Sequence, residues 1–370
     1  MTPKHRHVPS TMTAVLLTHH GGFDALDYRD DVPVPRPAAG QVLIEVAAAG
    51  INNTDINTRV GWYSKTVRDA TTDTDGVPEA DADDGGWSGT PLDFPRIQGA
   101  DVCGRVVQVG QGVSGERLGE RVIVATMQRA GAGDLAFATV TLGSEMDGGF
   151  AQYVATESSE THAIECDWTD VELASIPCAS STAENMLHRA GVGPGERVLI
   201  TGASGGVGSA AVQLATRRGA HVIAVAGLAK HAGVLSLGAA EVADRDADIE
   251  RTLGAGTIDV VVDLVGGVQW PRLLDVLRRG GRYITSGAIA GPIVELDLRT
   301  LYLKDLTLLG ATYQEPGVFE SLVGYIERGE IRPLVHATYP LSEIEQAQRD
   351  FAAKDFVGKL VLVPPAALPD

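Results

Sequence analysis

The chain has 370 residues, 44% of them hydrophobic and 5% aromatic, which is enough for two domains with full cores and fits an α/β enzyme. Forty-eight acidic against 30 basic side chains give a formal charge of −18, which argues against nucleic acid or an anionic membrane surface as partner. Cys103, Cys166 and Cys178 are too few and too scattered for a disulfide framework, and no apolar stretch reaches secretory or membrane-spanning length, so a cytoplasmic protein is expected.

In chain order, residues 1–12 read as a polar tail, because the first apolar run begins at Ala14 and stops at Thr18. From there to about Val154 short strands recur between glycine and proline punctuation, at 41–47, 102–109, 121–125 and 149–155, which predicts a β-rich domain over 1–165. The stretch between Asp69 and Pro91 interrupts that texture. It carries Asp73, Asp75, Glu79, Asp81, Asp83 and Asp84, with almost nothing apolar except Val77 and Trp87, and reads as a solvated insertion (64–93) beside the mouth of a site. Its carboxylates lack the ordered glycine and terminal Glu of a calcium loop.

Beyond about Asp170 strands at 198–201, 221–227, 259–265, 281–286 and 306–311 alternate with helical patterns, which predicts a doubly wound parallel sheet over 166–312. The remainder, 313–370, adds helices at 318–328 and 342–353 and a closing strand, Lys359–Val363.

The most informative stretch is the run Val198-Leu199-Ile200-Thr201 feeding Gly202-Ala203-Ser204-Gly205-Gly206-Val207-Gly208. An apolar strand leads into a glycine-rich turn and an amphipathic helix, the arrangement that binds a dinucleotide pyrophosphate on backbone N–H groups. Ala203 stands where the usual fingerprint has its first glycine. The next strand ends at Gly227 without an Asp or Glu for ribose hydroxyls, and Lys230 follows with the charge that a 2′-phosphate needs. NADP(H) is therefore expected over NAD(H); a merely solvated lysine is the alternative.

The order of these parts resembles the medium-chain dehydrogenase/reductase superfamily over essentially the full chain, and most nearly its zinc-independent quinone oxidoreductase branch. The residues that carry the resemblance are Gly50-Ile51-Asn52-Asn53-Thr54-Asp55 with Arg59, Gly61 and Tyr63; Gly99-Ala100-Asp101-Val102-Cys103-Gly104; Gly148-Gly149-Phe150-Ala151; Ser181-Thr182-Ala183; and the nucleotide turn. It implies a GroES-like β-rich catalytic domain, a Rossmann cofactor domain over 166–312, and a C-terminal return that completes the catalytic domain. Zinc-dependent relatives carry a cysteine at position 52, a histidine–glutamate pair at 100 and 101 and a cysteine at 178. Only Cys178 matches, so no metal is expected.

The resemblance further implies that Asn52 and Asp55 flank the nicotinamide, that Thr182 lies at the entry to the cofactor domain, and that Tyr63 lines the substrate pocket as a hydrogen-bond or proton donor. Packing at a loop tip is the alternative for Tyr63. Asn57 departs from close relatives, which carry a second tyrosine there. Val265-Gly266-Gly267 and Ser286-Gly287-Ala288 sit at the carboxyl ends of strands where such sheets bind ligands, unless they are ordinary turns. Lys359 matches a position that returns to the cofactor, with an edge-strand lysine as the plain alternative. Superfamily members pair through the strand from Leu306 to Ala311, so a homodimer is expected.

These readings favour an NADPH-dependent reductase of quinones or α,β-unsaturated carbonyls working by direct hydride transfer without zinc. A zinc-independent carbonyl reductase or alcohol dehydrogenase, and a nucleotide-binding relative without turnover, stay open. Enoyl thioesters rank low, because no basic cluster for a coenzyme A phosphate is visible.

Overall fold

A computed structural model describes residues 8–71, 85–129 and 137–366. The first part is built from strands β1 (Thr11–Leu17), β2 (Leu26–Pro33), β3 (Gln41–Gly50), β4 (Arg96–Ile97), β5 (Cys103–Val109), β6 (Arg121–Val124), β7 (Met127–Arg129), β8 (Thr139–Thr141), β9 (Tyr153–Glu157) and β10 (Thr161–Ala163). Strands β2, β1 and β4 form one sheet and β7 pairs with β8. The long strand β3 is the spine of a larger sheet, pairing antiparallel with β5 and β9. Its consecutive residues Val42, Leu43 and Ile44 are all fully buried, which is why the strand reads as an unbroken apolar run rather than an alternation.

The second part is a six-stranded, all-parallel sheet of β11 (Arg197–Ile200), β12 (His221–Ala226), β13 (Glu241–Asp244), β14 (Ile258–Asp263), β15 (Leu277–Thr285) and β16 (Thr307–Gly310), in the order β13-β12-β11-β14-β15-β16. Val198 to Ile200 and Val260 to Val262 are fully buried, as expected for strands covered on both faces. The strand order reverses beside β11, and the helix Gly206–Arg217 starts there, so the glycine turn lies at the topological switch point.

The chain then returns. Strands β17 (Val335–Pro340) and β18 (Lys359–Val363) pair in parallel, and β18 lies antiparallel to β3, completing the first part's large sheet. One continuous apolar core joins both parts, running from Ala48, Cys103 and Ile123 through Ile176 and Met186 to Val198 and Val260. Among the described residues no helix is long and apolar enough to cross a membrane.

Two expectations need correction. Residues 8–12 are not a loose tail, because Thr11 and Met12 belong to β1 and Met12 is buried, while Val8 packs on the same core; residues 1–7 lie outside the described residues. The strand expected at 149–155 begins only at Tyr153. A side chain at Gly148 or Gly149 would lie 2.4 Å from the Gly99 carbonyl or 2.8 Å from that of Asp101, so this stretch is a tight turn packed on 99–101. Asp73, Asp75, Val77, Glu79, Asp81, Asp83 and Asp84 of the acidic insertion fall outside the described residues.

Candidate active site

Where β3 ends, Asn52 takes extended backbone angles and caps the helix Asn53–Val60. Asp55, three residues on, reaches back to accept the Asn52 N–H at 2.7 Å, and its other oxygen accepts the Gly99 and Ala100 N–H groups at 3.2 Å each. Burial pushes its carboxyl up to about 7, against the pull of the Asn52 N–H, the Lys359 charge and the Ala100 N–H. Asp55 is therefore engaged with backbone on both oxygens and holds two segments of the site together.

Asn52 is just as fully engaged. Its amide oxygen accepts a hydrogen bond from the Lys359 ammonium, and its amide nitrogen donates to Asp101 Oδ2 at 2.8 Å. Lys359 Nζ also lies 2.8 Å from Asp101 Oδ2, and the two side chains are 4% and 0% exposed. The second Asp101 oxygen accepts the Cys178 N–H at 2.6 Å, at the start of the helix Pro177–Arg189. Glycines make room for this node: a Cβ at Gly50 would sit 2.5 Å from Asp101 Oδ2, and one at Gly206 would sit 2.8 Å from Lys359 Cδ. Lys359 is not an edge-strand lysine, because β18 lies between β17 and β3 and its side chain crosses to the first turn of the nucleotide helix.

Above this node lies an aromatic group. Tyr63 donates its phenol hydrogen to Thr54 Oγ1 at 3.1 Å, and burial pushes that phenol well above its ordinary range, so it stays protonated at neutral pH. The Trp87 ring stacks on Tyr63, with centroids 5.7 Å apart and planes 9° from parallel, while Trp62 meets it edge-on. Asn57, one helical turn beyond Thr54, is buried, and its side-chain oxygen has no hydrogen-bond partner among the described residues.

On the other side of the cleft Ala203 is fully buried and its N–H donates to the Val225 carbonyl, while the Ser204 carbonyl accepts the Gly358 N–H. Gly205 caps the helix Gly206–Arg217 in extended conformation with no side-chain cap, so the first-turn donors, Gly206, Val207 and Gly208 among them, have no carbonyl within the helix. A Cβ at Gly208 would be 2.2 Å from the Gly202 carbonyl, which fixes how closely helix and strand pack. Thr182 is half-buried in the second turn of the helix Pro177–Arg189. Ser286 donates to Met186 Sδ, and Gly287 lies against the Leu264 carbonyl.

Asp263, at the end of β14, was not singled out from the sequence, yet it is the hub of this side. It accepts the Thr201 and Tyr283 hydroxyls at 2.5 and 2.6 Å and the N–H groups of Val265 and Gly266. These bonds fix the turn in which Gly266 and Gly267 take positive φ. Gly227 and Lys230 sit apart, beyond the end of β12. Lys230 donates to the Lys354 carbonyl, and partial burial and the Arg245 charge push its ammonium down. Arg245, also not anticipated, is brought there by the register that sets Ala226 beside Asp244; its guanidinium lies 3.7 Å from where a Gly227 side chain would begin.

Residues 38–166 match the family described as alcohol dehydrogenase GroES-like domain, and residues 206–328 match the family described as zinc-binding dehydrogenase. The chain is 31% identical to a quinone oxidoreductase of Lama guanicoe, covering 95% of this chain and 97% of the other. It is 28% identical to an acryloyl-coenzyme A reductase of Metallosphaera sedula, covering 95% and 99%. A solved structure of a putative alcohol dehydrogenase from Sinorhizobium meliloti 1021 is 49% identical, with a TM-score of 0.86 over 97% of this chain and 98% of that one.

The second family's description raises zinc, and the residues here do not fit it. The Asn52 and Asp101 oxygens already surround an ammonium, Ala100 offers no donor, and Cys178 is the one thiol beside them. Among the described residues no three His, Cys, Asp or Glu side chains converge as a metal would need.

Removing Asp55 should be costly to the fold. Asp55→Ala leaves three N–H donors without their acceptor in a buried place, at roughly 1–3 kcal/mol for each unsatisfied group, so the urea midpoint should fall sharply. An unchanged midpoint would show that Asp55 does not hold these segments.

Proposed function

The chain belongs to the medium-chain dehydrogenase/reductase superfamily, and as an oxidoreductase of that type we propose that it reduces quinones or α,β-unsaturated carbonyl compounds with NADPH and without zinc. The observation that carries the reading is the buried Lys359–Asp101–Asn52 node beside the glycine turn: a fixed ammonium lies where a metal's donors would have to converge. The preference for NADPH is supported by the absence of a carboxylate at the end of β12 and by Lys230 and Arg245 around Gly227.

The dinucleotide would be held by the N–H groups of Gly205 to Gly208 with Ala203 and Ser204 shaping the turn, by Lys230 and Arg245 at the 2′-phosphate, and by Thr182, Val265, Gly266, Ser286 and Gly287 along its nicotinamide half. When bound it supplies a hydride to the electron-poor carbon of the acceptor. Tyr63 assists as a hydrogen-bond donor: its phenol, kept neutral by burial, turns from Thr54 to the substrate oxygen as negative charge grows there, and solvent supplies the proton that completes the reduction. Asn52 and Asp55 act by holding Lys359 and the 99–101 loop in place.

Following NADPH oxidation against quinones, enones, enoyl thioesters and ketones tests this reading. Turnover with quinones or enones is expected, and activity confined to ketones, or none with any acceptor, would overturn it. In nucleotide titrations NADPH should bind more tightly than NADH. Lys230→Ala should weaken NADPH about tenfold or more, the worth of a charge-assisted contact at roughly 1.5–3 kcal/mol, and leave NADH unchanged. Equal affinities for the two nucleotides would remove the NADP(H) assignment.

A homodimer completes the proposal. Strand β16 ends the parallel sheet, and exposed Leu298, Tyr302 and Leu303 lie on the helix just before it, so a second copy would cover both the sheet edge and an apolar patch. Light scattering should report twice the chain mass of 38.8 kDa; a monomer at micromolar concentration would contradict this.

A further inference from the structure

The acidic insertion stands apart in the sequence, and the reaction as argued above makes no use of it. Its described ends nevertheless straddle Tyr63. On the leading side, Trp62 Nε1 donates to the Asp69 carbonyl at 3.0 Å, and the Thr71 N–H donates across the cleft to the Ile289 carbonyl at 3.1 Å, just beyond Ser286 and Gly287.

On the returning side the chain turns tightly at Gly86, whose N–H donates to the Thr90 carbonyl; a Cβ at Gly86 would sit 2.5 Å from that oxygen. Ser88 donates its N–H and its hydroxyl to Glu145 Oε1 at 2.8 and 2.9 Å, and Glu145 Oε2 accepts the Thr141 N–H at 2.9 Å. A turn anchored at so many points does not present Trp87 by accident of packing. It lays the indole flat on one face of the Tyr63 ring, while Trp62 closes the edge.

We infer that Trp87 is a positioning residue that acts through Tyr63: the stacked indole blocks one face of the phenol ring and keeps the ring from swinging its hydroxyl away from Thr54. The inference rests on the reading of Tyr63 as hydrogen-bond donor to the substrate oxygen, and it gives the described turn at Gly86 a task, that of carrying one aromatic plane to that group. An offset-stacked pair holds orientation because the quadrupoles of both rings favour that arrangement, and neither ring turns without losing the contact.

The test is a double-variant cycle in the full-length protein with NADPH and 1,2-naphthoquinone, using Tyr63→Phe, Trp87→Ala, Trp87→Phe and Tyr63→Phe/Trp87→Ala. Phe at position 63 keeps the stack and removes only the hydroxyl. Trp87→Ala should lower kcat about tenfold with NADPH affinity unchanged, Trp87→Phe should recover most of it, and the double variant should be no slower than Tyr63→Phe alone. Additive losses, or a rise in acceptor KM with kcat unchanged, would overturn the inference. A Tyr63→Phe enzyme as fast as the parent would instead sink the reading of Tyr63 as hydrogen-bond donor, and this inference with it.

A second readout needs no turnover. With 3-fluorotyrosine incorporated, the fluorine signal that vanishes in Tyr63→Phe should carry a ring-current shift that Trp87→Ala abolishes and Trp87→Phe largely keeps. An unmoved signal in Trp87→Ala would show that the indole does not hold the ring.

Discussion

The two parts of the site meet at one buried ion pair, Lys359 with Asp101. Two charges taken out of water are stable only when their remaining hydrogen-bonding capacity is met, and here it is met by Asn52 on both partners and by the Cys178 N–H on the carboxylate. Those bonds draw together the end of β3, the 99–101 loop, the returning strand β18 and the start of the helix Pro177–Arg189. The stem of Lys359 then lies on Gly206, so the same contact sets the nucleotide turn against the β-rich part. Neither Gly50 nor Gly206 could carry a side chain without displacing one of the two partners.

Two features of the site follow from that node. It places the Lys359–Asp101 ion pair at the junction of the two parts. It also leaves Asn52 and Asp55 fully hydrogen-bonded, so that both act as struts between segments of the chain. On the opposite wall Asp263 plays a matching part, since one carboxylate ties Thr201 of the first strand's end to the Val265–Gly266 turn of the next.

Local pattern made much of this legible in the sequence. The buried runs Val198 to Ile200 and Val260 to Val262, the glycine turn and the helix at 342–353 are written in consecutive residues, and each falls within a few residues of its expected place. What escaped was set by distance along the chain. Lys359 and Asp101 are separated by 258 residues, and no local signal says that a strand lysine will cross a sheet to a loop carboxylate. Arg245 escaped for a similar reason: β13 is only four residues long, with acidic residues at both ends, so neither the strand nor its register beside β12 could be read. Trp87 was visible as an isolated aromatic in an acidic stretch, but the plane it stacks on was not.

The claim on which the chemistry turns is that a lysine ammonium, and no metal, occupies the centre of this site. Elemental analysis of the purified protein, paired with NADPH oxidation before and after exhaustive chelation, tests it most directly. A site built around Lys359 requires well under one zinc per chain and turnover indifferent to chelator; about one zinc per chain, lost together with activity, would contradict it.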